Sequence, residues 1–542
     1  MNRRDFLRRT ATGSAFAVSG LFPGCSTRKP LSSDAGFNLE SFELAEVSVA
    51  ELQRGMVSGK YSSEKLVRLY LRRIDEVDRT GPTLRAVIEL NPDALAIART
   101  LDQERKSSGP RGPLHGIPVL IKDNIGTRDR MTTTAGSLAL EGSIAPRDSF
   151  LVERLRAAGA VLLGKTNLSE WANFRGNRSI SGWSARGGLT RNPYAIDHST
   201  SGSSAGSASA VSASLCAAAI GTETNGSIVS PSSYCGIVGL KPTVGLVSRA
   251  GIIPISSSQD TAGPMGRTVA DVAALLGAMT GIDPRDSATG ASNGKRQTDY
   301  TTFLNAKALR GARIGVARNL FFSHPQADRV MESALAALRR EGAVLIDPAS
   351  LPSRQGVGDA DYQLMLYEFK AGLNAYLGSL GSSVAVNSLK ELIEFNEKNR
   401  EREMLFFGQE TLIAAEAKGP LTDAAYLEAR AKCVKWARTD GIDAVMDQHQ
   451  LDALIAPTTG PAHTLDLING DRGLGGSSSY AAVAGYPAIT LPAGNIFGLP
   501  MGISFFGRAW TEPKLIGLAY SFEQATRARQ APRFLRTVEM TG

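Results

Sequence analysis

Ser199-Thr200-Ser201-Gly202-Ser203-Ser204-Ala205-Gly206-Ser207 and, after a short Ala/Val-rich segment, Gly221-Thr222-Glu223-Thr224-Asn225-Gly226-Ser227-Ile228-Val229 form two serine-bearing loops made of small residues. Small residues let a backbone pass close to a ligand, and glycine reaches dihedrals that other residues avoid. Such loops can aim backbone N–H groups at an oxyanion beside a nucleophilic hydroxyl. Three readings compete. Gly221 and Gly226 have the spacing of a phosphate cradle, but Ser227 stands where that motif needs lysine. Gly202-Ser203-Ser204-Ala205-Gly206 matches a nucleophile elbow literally, yet Asn192–His198 before it is a polar, proline-containing stretch rather than a buried strand. An elbow also needs a downstream histidine, and His324, His449 and His463 have no recognisable context. The third reading is a serine/glycine loop without chemistry.

An upstream lysine separates these readings. Leu114-His115-Gly116-Ile117-Pro118-Val119-Leu120-Ile121-Lys122-Asp123-Asn124 places Lys122 at the end of an apolar, β-branched run that predicts a buried strand. Burying a charged amine is costly, so desolvation lowers its pKa and leaves a neutral amine able to act as a base. An isolated lysine here would more simply snorkel to solvent or pair with Asp123.

Taken together, the lysine and the two loops resemble the amidase signature family, which uses a Ser-Ser-Lys set without histidine. By that resemblance Lys122 in Pro-Val-Leu-Ile-Lys-Asp-Asn is the family lysine, and Ser203 is the bridging serine, which in the family follows a cis peptide. Ser227 is the nucleophile, 24 residues beyond Ser203 as in the family. The backbone of Thr224, Asn225, Gly226 and Ser227 is the implied oxyanion hole. The likeness runs from about Leu52 to the C-terminus. It is strongest to the peptide amidase branch, through Gly221–Val229, Val238–Arg249, Ile252–Ile255 and Ser258–Met265. Ser201, Ala205, Asn225 and Val229 depart from the commoner family pattern; asparagine tolerates a left-handed glycine position, and Val229 removes an arginine many members carry near the pocket.

The rest of the chain fits an open α/β architecture. Its 542 residues, 42% of them hydrophobic, can bury a large core. Strands are predicted at 86–90, 119–122, 160–165, 313–316, 344–346, 453–458, 488–493 and 502–506, alternating with helices. The fold class expected is a large, mixed central sheet covered by helices on both sides. A charged, helix-forming stretch at about 364–438 resembles the helical insertion of peptide amidases. Residues 165–194 form a long irregular loop whose Trp171, Phe174 and Trp183 suit either a wall of a substrate cleft or anchoring of the loop in the core.

Asn2-Arg3-Arg4-Asp5-Phe6-Leu7-Arg8-Arg9 opens a twin-arginine-type export signal over 1–25, followed by a polar tether at 26–40 and the main domain at 41–542. Phe22-Pro23-Gly24-Cys25 is an imperfect lipoprotein box, so a lipid on Cys25 is the one membrane link expected. The net charge of +8 falls to nearer +5 without the leader's four arginines and one aspartate, with no basic run to suit nucleic acid. Cys25, Cys216, Cys235 and Cys433 lack metal spacing; buried free thiols are favoured over a Cys216–Cys235 disulfide. The expectation is an exported, periplasmic or secreted serine amidase, needing no metal or cofactor, that releases ammonia from C-terminal peptide amides. General short amides are the alternative substrates. A tRNA-dependent amidotransferase component fits less well, because export separates it from tRNA. A binding protein without activity is the reading from another class, and the intact Lys122, Ser203 and Ser227 weigh against it.

Overall fold

Apolar β-branched runs between amphipathic helices must bury both faces, and a helix-covered sheet is the arrangement that does so. The computed structural model, which describes residues 37, 39–381 and 384–538, gathers these runs into one mixed sheet of 11 strands. In chain order the strands are β1 (Val87–Leu90), β2 (Pro118–Lys122), β3 (Val161–Thr166), β4 (Trp183–Ser184), β5 (Gly188–Leu189), β6 (Ala218–Glu223), β7 (Val238–Lys241), β8 (Thr261–Gly266), β9 (Arg313–Val316), β10 (Val344–Ile346), β11 (Ala453–Pro457), β12 (Ala488–Ile496) and β13 (Leu499–Phe506). β4 and β5 form a separate ribbon; the others run β1-β3-β2-β6-β8-β7-β12-β13-β11-β9-β10 across the sheet. Parallel pairing joins β2 to β3 and β6, and β9 to β10 and β11; every other pairing within the sheet is antiparallel.

Two consequences of this topology build the site. The β2–β6 pairing sets Ile121 beside Ile220, so the C-terminal ends of both strands, carrying Lys122 and Thr222, emerge together. Binding sites in such sheets lie at the carboxyl ends of parallel strands. Between β3 and β6 in sequence, the Ala205–Ser212 helix has every residue buried and packs on β2, β3 and β6. Its Ser/Ala composition permits this approach. A β-carbon on Gly206 would lie 2.3 Å from the Ala86 carbonyl and 2.5 Å from that of Asn167, so glycine is required there.

The first helices follow their caps. Ser48 and Glu51 close a capping box on Val49–Val57, and Ser62 accepts from the Lys65 N–H at 3.1 Å to start Ser63–Arg73. Between β10 and β11 the chain is helical from the Gly358–Ser379 helix to the Asp443–His449 helix, the region that contains the expected helical insertion. Cys216, Cys235 and Cys433 are buried and free. The export segment, Cys25 and nearly all of the tether lie outside the described residues. No helix among the described residues is long and apolar enough to cross a membrane.

Candidate active site

Lys122 closes β2 with no exposed surface. Its Nζ lies 2.6 Å from Ser203 Oγ, 2.9 Å from Thr222 Oγ1 and 3.2 Å from the Thr222 carbonyl. The Asn124 amide donates to the same Thr222 hydroxyl at 3.0 Å. Burial drives the lysine pKa down to about 7, against the opposing pull of the Glu223 and Asp260 carboxylates. The pairing with Asp123 considered above does not form: the Asp123 carboxylate accepts from the Thr134 hydroxyl and the Gly136 N–H, with Arg186 nearby.

The two serine loops close on this amine. The Gly202–Ser203 peptide is cis, and Ser203 is fully buried. Its carbonyl accepts from the Ser169 N–H at 3.0 Å, and the Ser204 N–H donates to the Ser227 carbonyl at 3.2 Å. Ser204 Oγ bridges to β6, donating to the Thr222 carbonyl at 3.0 Å. Ser227 is partly exposed, and its hydroxyl makes no hydrogen bond among the described residues, including none to Ser203. The structure therefore joins Lys122 to Ser203 directly and brings Ser227 in through backbone.

Glu223, which sequence reasoning missed, shapes the nucleophile loop. Its carboxylate accepts from the N–H groups of Gly226 at 2.9 Å, Ile228 at 2.7 Å and Val229 at 3.0 Å. Of the four N–H groups expected in the oxyanion hole, that of Gly226 thus donates to Glu223. The N–H groups of Thr224, Asn225 and Ser227 have no acceptor among the described residues. The left-handed turn falls at Gly226, with φ of 84°, and not at Asn225. Asn225 instead clamps the loop from outside: its carbonyl oxygen accepts from Ser478 Oγ at 2.7 Å.

A cavity of about 390 Å³ opens beside the site, lined by Asn124, Thr222, Glu223 and Thr224 on one side and by Ile253 and Glu368 on the other. The Thr224 hydroxyl donates to Asp260 Oδ1 at 2.6 Å, which ties the cavity wall to the loop. Burial raises the Asp260 pKa to about 6, opposed by the Thr224 hydroxyl and the Ile255 and Ser256 N–H groups.

Trp171, Phe174 and Trp183 do not line this cavity. All three are buried. Phe174 packs on Phe369 at 5.1 Å between ring centroids, while Trp183 meets Phe406 and Phe407 edge-on at 5.5 and 5.4 Å. Trp171 belongs to the same apolar cluster as Ile253, Leu366 and Phe369. The aromatics of the long loop thus anchor it against the helical insertion, because rings of that size gain most by leaving water altogether.

The chain matches the family model described as Amidase over residues 65–516. The native peptide amidase of Stenotrophomonas maltophilia superposes with a TM-score of 0.88 at 54% identity, covering 91% of this chain and 100% of that one. An amidase family protein of Bacillus anthracis superposes with a TM-score of 0.83 at 38% identity, covering 90% of this chain and 93% of that one. A "Probable amidase" of Arabidopsis thaliana is 42% identical over 504 residues, 91% of this chain and 93% of its own length. With that likeness spanning the sheet, the insertion and both serine loops, the chain belongs to the amidase family and is an amide-hydrolysing enzyme.

Proposed function

We propose that this enzyme is an exported serine amidase that hydrolyses C-terminal amides of peptides through Lys122, Ser203 and Ser227, releasing ammonia. The observation that carries the catalytic assignment is Lys122 Nζ, fully buried, hydrogen-bonded to neutral partners alone and 2.6 Å from Ser203 Oγ. Likeness to the S. maltophilia peptide amidase supports the substrate class. The twin-arginine start supports export.

In this reading, neutral Lys122 accepts the Ser203 proton as Ser203 accepts that of Ser227. Ser227 Oγ then bonds to the amide carbon. The carbonyl oxygen gains negative charge, and the unclaimed N–H groups of Thr224, Asn225 and Ser227 are the donors placed to hold it. Collapse breaks the C–N bond, the proton returns from Lys122 through Ser203 to the leaving nitrogen, and ammonia departs. Water enters by the same relay and releases the acid from Ser227. The missing Ser203–Ser227 hydrogen bond closes when substrate fills the site, since catalytic contacts often tighten only in the Michaelis complex.

Ammonia release from a panel of peptide amides tests the proposal. Ser227→Ala is expected to lose at least about 10³-fold in kcat. Full-rate turnover in that variant would reject the assignment, and turnover confined to non-peptide amides would shift the substrate class to general short amides.

A further inference from the structure

The cavity beside the oxyanion loop combines an apolar wall with carboxylates that stand outside any ion pair among the described residues. We propose that it is the subsite for the acyl-side side chain of the substrate, selecting an aliphatic stem that ends in a cation, as in lysine or arginine. The proposal rests on the peptide-amide reading above and narrows it.

The wall is built by Ile252, Ile253, Pro254, Ile255 and Ala371. Such a surface suits a methylene stem and gives an exposed charge nothing. The polar lining is acidic. Glu368 is 3% exposed and accepts from Ser256 Oγ at 2.5 Å, Ser258 Oγ at 2.9 Å, the Ser258 N–H at 3.1 Å and Tyr426 at 2.9 Å. Asp260 is held by the Thr224 hydroxyl and two N–H groups, and Glu223 by three N–H groups. Every one of these donors is neutral, so the donors hold the charge in place without cancelling it.

Two arginines also line the cavity; both are held in ion pairs with other carboxylates, and Arg249 in addition attracts Asp260 and Glu368 at longer range. Arg249 makes a two-point pair with Asp286 at 2.7 and 2.8 Å. Arg285 pairs with Asp283 at 2.9 Å and Glu153 at 3.1 Å. Glu223, Asp260 and Glu368 take part in no ion pair among the described residues.

A separate observation points to a donor as the guest. Asn124 lines the same cavity, is 2% exposed, and its Oδ1 has no hydrogen-bond partner while its Nδ2 is engaged by Thr222. A buried acceptor left open at a cavity is completed by a ligand N–H. Apolar wall, carboxylates outside any ion pair and an open acceptor together describe a receptor for an ammonium or guanidinium on a flexible stem.

The test compares acetylated dipeptide amides ending in lysine, norleucine or glutamate, with ammonia release as readout. In wild type, kcat/KM for the lysine amide is expected about tenfold above the norleucine amide, with the glutamate amide lowest. The lysine-to-norleucine ratio is expected to fall toward one in Glu368→Gln and in Asp260→Asn. Binding of the same three peptides to Ser227→Ala, followed by calorimetry, reads the subsite without turnover, and the lysine peptide is expected to bind tightest. Equal or inverted preference in wild type, or a lysine preference unchanged in both carboxylate variants, overturns the subsite. Preferential lysine-peptide binding with no ammonia released from any of them supports the subsite and fails the peptide-amide reading instead.

Discussion

A neutral amine has two N–H groups and one lone pair, and the surroundings of Lys122 assign all three. The Thr222 carbonyl and hydroxyl lie 3.2 and 2.9 Å from Nζ and take the two N–H groups, which leaves the lone pair for the Ser203 hydroxyl at 2.6 Å. A protonated Lys122 has no lone pair, so the free enzyme works only above the lysine pKa of about 7. The expected kcat/KM profile therefore rises as pH climbs through about 7. Asp260 holds that pKa up, so Asp260→Asn is expected to move the rising limb to lower pH. A pH–rate series on both proteins checks this; a limb that stays put or moves upward would break the link between Lys122 and turnover. At this scale the sequence was most legible in bringing a buried strand-end lysine, Lys122, to the serine loop, where the structure sets it 2.6 Å from Ser203 Oγ. It was least legible where geometry chooses among equals. Nothing in Thr-Asn-Gly-Ser says which N–H groups Glu223 will take, and a tryptophan's hydrophobicity is the same facing a cleft or a core.

The long loop at 165–194 and the helical insertion act as one element because a buried charge cluster joins them. Arg175, fully buried, pairs with Glu170 on its own loop and reaches the insertion through Glu403 Oε2 at 3.7 Å and the Phe407 carbonyl at 3.0 Å. Glu403 in turn accepts from Ser137 Oγ at 3.1 Å and the Leu138 N–H at 2.7 Å. Burial raises the Glu170 carboxyl well above the usual range, and Arg175 opposes that rise. Arg175→Met leaves Glu170 and Glu403 without their cation and is expected to cost about 3–5 kcal/mol. Urea unfolding of Arg175→Met and of Arg175→Met with Glu170→Gln measures it. The second change should recover part of the loss, and additive losses would show that the pair is not coupled. The elements legible in the sequence were those with strong periodicity, such as Ser63–Arg73 and Pro118–Lys122. β8, Thr-Ala-Gly-Pro-Met-Gly, lies buried in the middle of the sheet with Pro264 opposite Ile220. Glycine and proline in that density read as a loop, and only the pairing available on both sides makes it a strand.

At the scale of the molecule, Lys122 is one of three lysines buried completely among the described residues, with Lys165 and Lys241. Lys165 donates to the Ile125 carbonyl at 2.8 Å and Thr133 Oγ1 at 2.9 Å; Lys241 donates to the Tyr486 carbonyl at 2.7 Å and the Pro242 carbonyl at 3.1 Å. Their acceptors are neutral, and burial lowers both pKa values to about 8, from 10.5 in an exposed lysine. Between those limits the unfolded chain holds protons that the folded chain has released, so the proton equilibrium opposes folding least at the upper end. Stability is therefore expected to rise with pH, each such lysine contributing up to about 1.4 kcal/mol per pH unit. The window closes above about pH 9. There the buried Cys216 and Cys433 thiols, pushed up to about 12, keep protons that unfolded thiols lose and offset the two lysines, so the curve flattens. Urea midpoints at pH 7.5 and 9 are expected to increase, and Lys165→Met or Lys241→Met should flatten the increase whatever either does to stability at one pH. A midpoint that falls over this interval in wild type would mean that the buried amines stay charged, and with them the amine on which the Ser203 proton depends.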